Sequence, residues 1–465
     1  MPGFLLIWFG QMISATATST TTFALYIWII KKTAGGSSVG VMEFFFFSAT
    51  LLVAPIAGMM VDRYNRKATM LVYDIASLAI TVLILTLYFF QALEVWHLYV
   101  ATIVQGVGYA FQWPAYRAVI STMIPKARYV RANGMMSLLD DVPDVFSPIL
   151  AGVILGPIIG LTGILVINVV AFVFSIGALL ITDIPQIPHT VEGEQSHSVL
   201  WKEWAFGFLY IIKRPSLLGL QMIFLVGNFF SGIALSAAVF YPMILLRTGN
   251  NTEVLGFVST VGSLAAVVGG ITLTAWGGIK RPLHGVLLGW IISSFLGLAL
   301  LGLGKGLIIW LVAVAIEAVC DPLTKVSNDT ILQRKVSPDL QGRVFGAESV
   351  ITQFMIPFAP LIGGYLGDKV FEPAMQTQSA LSNFFGPFVG TGPGSGMGLL
   401  IFLCGIGATL VGISGYLLRP VRKLDELLPD NDAVPVSGSS ALPIEPTSIG
   451  KIKAVKEKDA IQQGM

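Results

Sequence analysis

Gly58-Met59-Met60-Val61-Asp62-Arg63-Tyr64-Asn65-Arg66-Lys67 is a short charged island between two long apolar runs, residues 40–61 and 68–90. A membrane-spanning helix needs roughly 20 mostly apolar residues, and each run is long enough. In lipid the backbone must satisfy its own hydrogen bonds, so the runs are predicted to be helices and not open strands. The island is then a tight turn at one membrane face. Its three basic residues, Arg63, Arg66 and Lys67, mark that face as cytoplasmic.

The pattern extends over the rest of the chain. Twelve such runs are predicted: 4–30, 40–61, 68–90, 98–121, 135–158 and 160–181, then 217–246, 254–276, 283–303, 307–332, 345–366 and 397–418. Composition agrees. Hydrophobic residues make up 54% of the 465 and charged residues only 12%, against roughly 25% charged in soluble proteins. A net charge of +2 gives no case for nucleic-acid binding. Cys320 and Cys404 both sit in apolar stretches, so neither a disulfide framework nor a metal cluster is suggested. No cleavable signal peptide is expected, since the first apolar run lacks a basic leader and is too long.

Counting Lys and Arg in the loops orients the chain. With the 62–67 island inside, the segments on that side hold 21 basic residues and the opposite ones hold 5. Both termini are thereby expected in the cytoplasm. The halves also match one another. Lys280-Arg281 takes the position of Arg66-Lys67. Pro148 and Gly152 of the fifth run fall on Pro360 and Gly364 of the eleventh, and Pro114–Arg117 falls on Pro322–Lys325. This is the pattern of parallel repeats in transporters. The expected organisation is an all-α membrane protein of two pseudo-symmetric six-helix bundles, 1–182 and 217–424. A cytoplasmic segment, 183–216, joins them and carries an interfacial helix with Trp201, Trp204 and Lys202. The tail, 425–465, is rich in Pro, Ser, Gly and charge and is expected to be disordered.

The island resembles the Gly-x-x-x-Asp-Arg-x-x-Arg-Lys signature of the major facilitator superfamily, with Gly58, Asp62, Arg63, Arg66 and Lys67 in place. Gly58 permits close helix packing. Asp62 suits the N-terminus of a helix in the other half, where a carboxylate is favourable. Arg63 and Arg66 suit partners at a cytoplasmic gate. IWFGQMIS, VRANGMMSL, WGGIKR and GRVFG look like the macrolide-efflux-type branch of drug:proton antiporters. The resemblance implies alternating access about a central cavity lined by the first, fourth, seventh and tenth helices. Two departures stand out. Thr102-Ile-Val-Gln105-Gly106 lacks the arginine of the Arg-x-x-Gln-Gly pattern, and Ser147-Pro148-Ile-Leu-Ala151-Gly152 replaces Gly-Pro-x-x-Gly-Gly. Both bear on the proton as driving ion.

Ionisable side chains within the bilayer cost at least about 2.5 kcal/mol each and are functional candidates by default. The tenth run carries Glu317, Asp321, Lys325 and Asp329 at i, i+4 spacing, one stripe of the helix. Lys325 is expected to pair with Asp321 or Asp329, which leaves Glu317 to exchange a proton; the alternative is a structural ion-pair ladder. Tyr109, Trp113 and Arg117 form the matching face of the fourth run. Asp140, Asp141 and Asp144 crowd the fifth, as proton or substrate groups or as gate salt bridges, and Glu43 stands alone in the second beside Phe44–Phe47, either binding a proton or, the favoured reading, sitting at the outer interface. Gln11 and Asn228 complete the polar cavity candidates. The acids outnumber Arg117 and Lys325, so the cavity is expected to prefer cationic or zwitterionic lipophilic molecules.

Gly390–Gly396 resembles a phosphate loop only superficially, without a Lys-Ser/Thr ending or a preceding strand, and is expected to be a flexible lead into the twelfth helix. No metal-ligand spacing, ATP motif or nucleophile–base pair is evident. The expected function is export by a monomer in a bacterial plasma membrane. It would need no cofactor, draw on a proton or other ion gradient, and have a small-molecule substrate and membrane lipids as partners. Import or uniport of a lysolipid, sugar or siderophore, and a non-transporting sensor or scaffold, are the alternatives.

Overall fold

A computed structural model describes residues 2–63, 66–124, 129–154, 160–184, 200–337 and 340–428. The first half contains α1 (Pro2–Thr33), α2 (Ser37–Arg63), α3 (Arg66–Phe89), α4 (Val95–Met123), α5 (Tyr129–Ile154) and α6 (Gly160–Ile181). A short helix follows, α7 (Leu200–Ile212). The second half contains α8 (Pro215–Leu235), α9 (Ala237–Arg247), α10 (Thr252–Trp276), α11 (Pro282–Leu303), α12 (Leu307–Lys335), α13 (Gln341–Gln353), α14 (Phe358–Leu366), α15 (Ala380–Val389) and α16 (Ser395–Leu417). Among the described residues ten segments are long and apolar enough to cross a membrane. At 29 and 26 residues, α4 and α5 also have the length of spans. No strand occurs among the described residues.

The seventh and eleventh runs, expected to be continuous, are each broken. Ser236 takes an extended conformation (φ −56°, ψ 145°) between α8 and α9. Turns over residues 354–357 separate α13 from α14; Pro357 there cannot donate to a helical ladder. A helix not foreseen, α15, lies between the eleventh and twelfth spans. Ser379 caps it by accepting from the Ser382 amide, while the Ser379 amide donates to the Ser382 hydroxyl. Residues 293–299 of α11 form a π-helical stretch.

Three apolar cores show how the halves sit together. At the end bearing the basic loops, one core (Phe4, Met70, Tyr116, Leu179) belongs wholly to the first half. Another (Leu217, Leu287, Leu332, Val344) belongs to the second together with Ile211 of α7. At the opposite end a single core runs through both, joining Ile27, Val39 and Leu165 to Ala238, Ile244 and Leu255. Among the described residues the halves therefore share a core at that end and keep separate cores at the basic end. Closure rests mainly on two helix pairs, α5 with α10 and α2 with α14, with α9 also touching α1 and α2. Gly36 and Gly40 let the α2 backbone lie directly on the carbonyls of Ala238 and Pro360, with no room for a Cβ.

At the basic end, α7 packs on α13, where Gly207 meets the Arg343 carbonyl, and Ile211 is buried. Asp425, the first residue of the expected tail, still pairs with the buried Lys335 at 2.9 Å. Residues 429–465 lie outside the described residues, as do the side chains of Trp201, Lys202 and Trp204.

Candidate functional site

A cavity of ≈ 1200 Å³ at the basic end is lined by the second half together with Leu138 and Asp144 of the first, and it shares part of its lining with a deeper one of ≈ 530 Å³ whose described lining is all from the second half. Asp321, Ser263 and Ala266 line both. Residues 307–335 form one continuous α12, so the i, i+4 spacing turns its acids to one side. Glu317 and Asp321 line the deeper cavity together with Asn228 of α8, Tyr241 of α9 and Trp290 of α11. Asn228 is held by donating from Nδ2 to the Thr352 carbonyl, 3.1 Å away. Lys325 pairs with Asp321 at 2.7 Å and keeps 69% of its side chain exposed. Asp144 lines the wider cavity, where its carbonyl accepts from Ser263 Oγ at 2.9 Å.

Two features of this site were not foreseen. The π-helical stretch of α11 sets Gly297 directly against the backbone of Glu317 and turns Ser293 into the cavity. Such stretches are frequent at functional sites. Among the described residues the aromatic lining comes from Phe240, Tyr241 and Trp290.

Other expected members are placed elsewhere. Tyr109 packs on Phe46 of α2, centroids 5.7 Å apart, and lines neither cavity. Gln11 is buried inside the first half, donating to Asp74 Oδ2 (2.9 Å) and Ser175 Oγ (3.0 Å). A helix inside a bundle has a polar face toward its own bundle as well as one toward the cavity, and spacing alone does not separate them. Glu43 is buried between the halves, where its Oε1 accepts from the Ala237 amide at 3.3 Å. That amide opens α9, and a carboxylate at a helix N-terminus is favourable; the contact accompanies the break at Ser236. Lys67 donates to the carbonyls of Leu180 (3.1 Å) and Thr182 (2.8 Å), tying α3 to the end of α6 within one half. The side chains of Gly58, Asp62, Arg63, Trp113, Arg117, Asp140 and Asp141 lie outside the described residues.

The closed end carries its own polar lock. Asp368, beyond α14, accepts from the amides of Gly36 (3.0 Å) and Ser37 (2.6 Å) and from the Ser37 hydroxyl (2.5 Å). It thus caps α2 across the interface. Glu372 does the same within the second half, accepting from the amides of Gly394, Gly396 and Met397 at 2.5, 2.9 and 3.2 Å. The glycine-rich loop expected to be flexible is therefore clamped on a carboxylate of its own chain.

With this geometry in view, comparison with known proteins is informative. The sequence profile described as Major Facilitator Superfamily matches residues 7–360. The chain belongs to the major facilitator superfamily. Within the superfamily it is similar to Macrolide efflux protein A of Streptococcus pyogenes, 22% identical and covering 79% of this chain and 90% of that one. It is also similar to a protein of the same name from Enterococcus faecalis, 24% identical over 70% and 99%. Multidrug resistance protein 1 of Bacillus subtilis is 26% identical over 72% and 81%. Among solved superfamily structures, a bacterial homologue of the lysosomal transporter Spinster, inward-facing and unoccupied, superposes with a TM-score of 0.68 at 13% identity. That match covers 92% of this chain and 99% of the other. A nucleoside transporter gives 0.64 at 12% identity, covering 89% and 98%.

Proposed function

We propose that this chain exports lipophilic cationic or zwitterionic small molecules, macrolides among them, by exchange for protons and alternating access. It works in a bacterial plasma membrane with the basic loops, and hence the open end of the cavity, in the cytoplasm. One observation carries the reading: Glu317 and Asp321 line a cavity in the second half beside Tyr241 and Trp290, and Asp321 also lines the wider one at the basic end, which Leu138 and Asp144 of the first half border, while a shared core joins the halves at the other end. Acids with aromatic walls suit an amphipathic cation, and a carboxyl in that cavity is suited to hold either the substrate or a proton. The efflux proteins to which the chain is similar support the direction.

The test is accumulation of erythromycin and of tetraphenylphosphonium in an efflux-deficient bacterial host. Expression is expected to lower accumulation at least threefold. A protonophore, or Glu317→Gln at equal membrane abundance, is expected to abolish that effect. Unchanged accumulation of both probes would sink the export reading and turn the search to uptake.

A further inference from the structure

The first half has a polar interior that the cavity does not use. Asp74 of α3 is 0% exposed. Its Oδ2 accepts from Gln11 Nε2 at 2.9 Å and from Ser175 Oγ at 2.8 Å, both neutral donors. Its Oδ1 is buried without a hydrogen-bond partner, and so is the Tyr116 hydroxyl of α4. No Lys, Arg or His among the described residues bonds to it. Among the described residues the titratable neighbours that sense its charge are Tyr73 on its own helix and Tyr116, both phenols; α1 and α6 contribute Gln11 and Ser175. An ionised carboxylate in such a place costs several kcal/mol unless paired. Within a membrane bundle that cost marks function by default.

A polar column leads away from it. One and two helical turns along α3 stand Ser77 and Thr81, both buried. Asn168 Nδ2 donates to Thr81 Oγ1, and Thr18 Oγ1 donates to Asn168 Oδ1, each at 3.4 Å. Thr18, Thr81 and Asn168 line a void of ≈ 10 Å³ together with Thr102 and Gln105, room for about one water. On the other side Gln112 of α4 donates to Gln11 Oε1 at 2.8 Å. We propose that Asp74 is a proton-binding site of the first half, reached through this column and separate from Glu317 in the cavity. The proposal rests on the proton-exchange reading for its role, but not for its existence.

Infrared difference spectra of the full chain in lipid, wild type minus Asp74→Asn, test the site. The carbonyl stretch of a protonated carboxylic acid is expected to disappear with the substitution. It is expected to shift in Ser175→Ala, which keeps the acid and removes one of its two hydrogen bonds. Ionised-carboxylate bands in the difference spectrum, or a protonated band unmoved by both substitutions, would overturn the proposal. Asp74→Asn keeps the shape of the protonated acid and should fold; were it not to, the Ser175→Ala shift decides alone. In liposomes, stimulation of tetraphenylphosphonium flux by a pH gradient should fall tenfold or more in Asp74→Asn, while exchange without a gradient persists. Full stimulation in the variant would overturn the coupling role. Wild-type flux indifferent to the gradient would instead remove proton exchange, with the infrared band still deciding whether Asp74 holds a proton.

Discussion

Glu372 and Lys325 show how differently two charged side chains contribute. Glu372 gathers three backbone amides at the start of α16. Charge-assisted hydrogen bonds are worth about 1.5–3 kcal/mol, and orphaned amides add a penalty. Glu372→Ala is therefore expected to lower the melting temperature in detergent by several degrees, and Glu372→Gln by less. Equal melting of all three forms would refute the clamp. Lys325, mostly exposed, forms a surface-like pair with Asp321, and such pairs are worth about 0–1 kcal/mol. Lys325→Met should leave melting nearly unchanged yet tighten tetraphenylphosphonium binding severalfold by unmasking Asp321, measured by equilibrium dialysis. Glu317 and Asp321 were legible because four charges at i, i+4 cannot hide in an apolar run. Asp74 carried the same signal, an acid within a span, but alone and near the end of one. Its burial follows from α1 and α6, which are distant in sequence.

At the scale of elements, the spans were legible because lipid demands long apolar helices. Their breaks were not, because each is completed by another part of the chain. The extended Ser236 faces a helix start that Glu43, 194 residues away, helps to satisfy. The α2–α14 contact depends on backbone laid on backbone at Gly36 and Gly40. Gly36→Val would drive a side chain into the Ala238 carbonyl. It should hinder closure of that end, exposing Ser37→Cys to a membrane-impermeant maleimide applied from outside, in a background lacking Cys320 and Cys404. Labelling no faster than in the Gly36 parent would show that the contact tolerates bulk.

For the whole molecule, the balance between open and shut ends rests on few contacts. Asp368 holds the α2 N-terminus across the interface with three hydrogen bonds. A carboxylate at a helix N-terminus contributes about 1 kcal/mol or somewhat more, enough to move a two-state population roughly fivefold. Asp368→Asn is expected to shift spin-label distances between Lys31→Cys and Lys305→Cys toward a longer population by about that factor. An unchanged distribution would mean that the apolar core joining the halves there carries closure by itself.

The sequence by itself determined the helical, membrane-spanning class, the doubled plan and the acidic stripe of α12. All three follow from local demands: apolar length, backbone satisfaction in lipid and helical periodicity. Only the tertiary structure decided which polar face of α1 turns inward, placing Gln11 on Asp74 and not in the cavity. It also decided that one end is shut, and that the glycine loop is filled by Glu372. Each of those depends on a hydrogen bond or backbone contact between residues distant along the chain, and the pattern of neighbours along a helix does not contain that information.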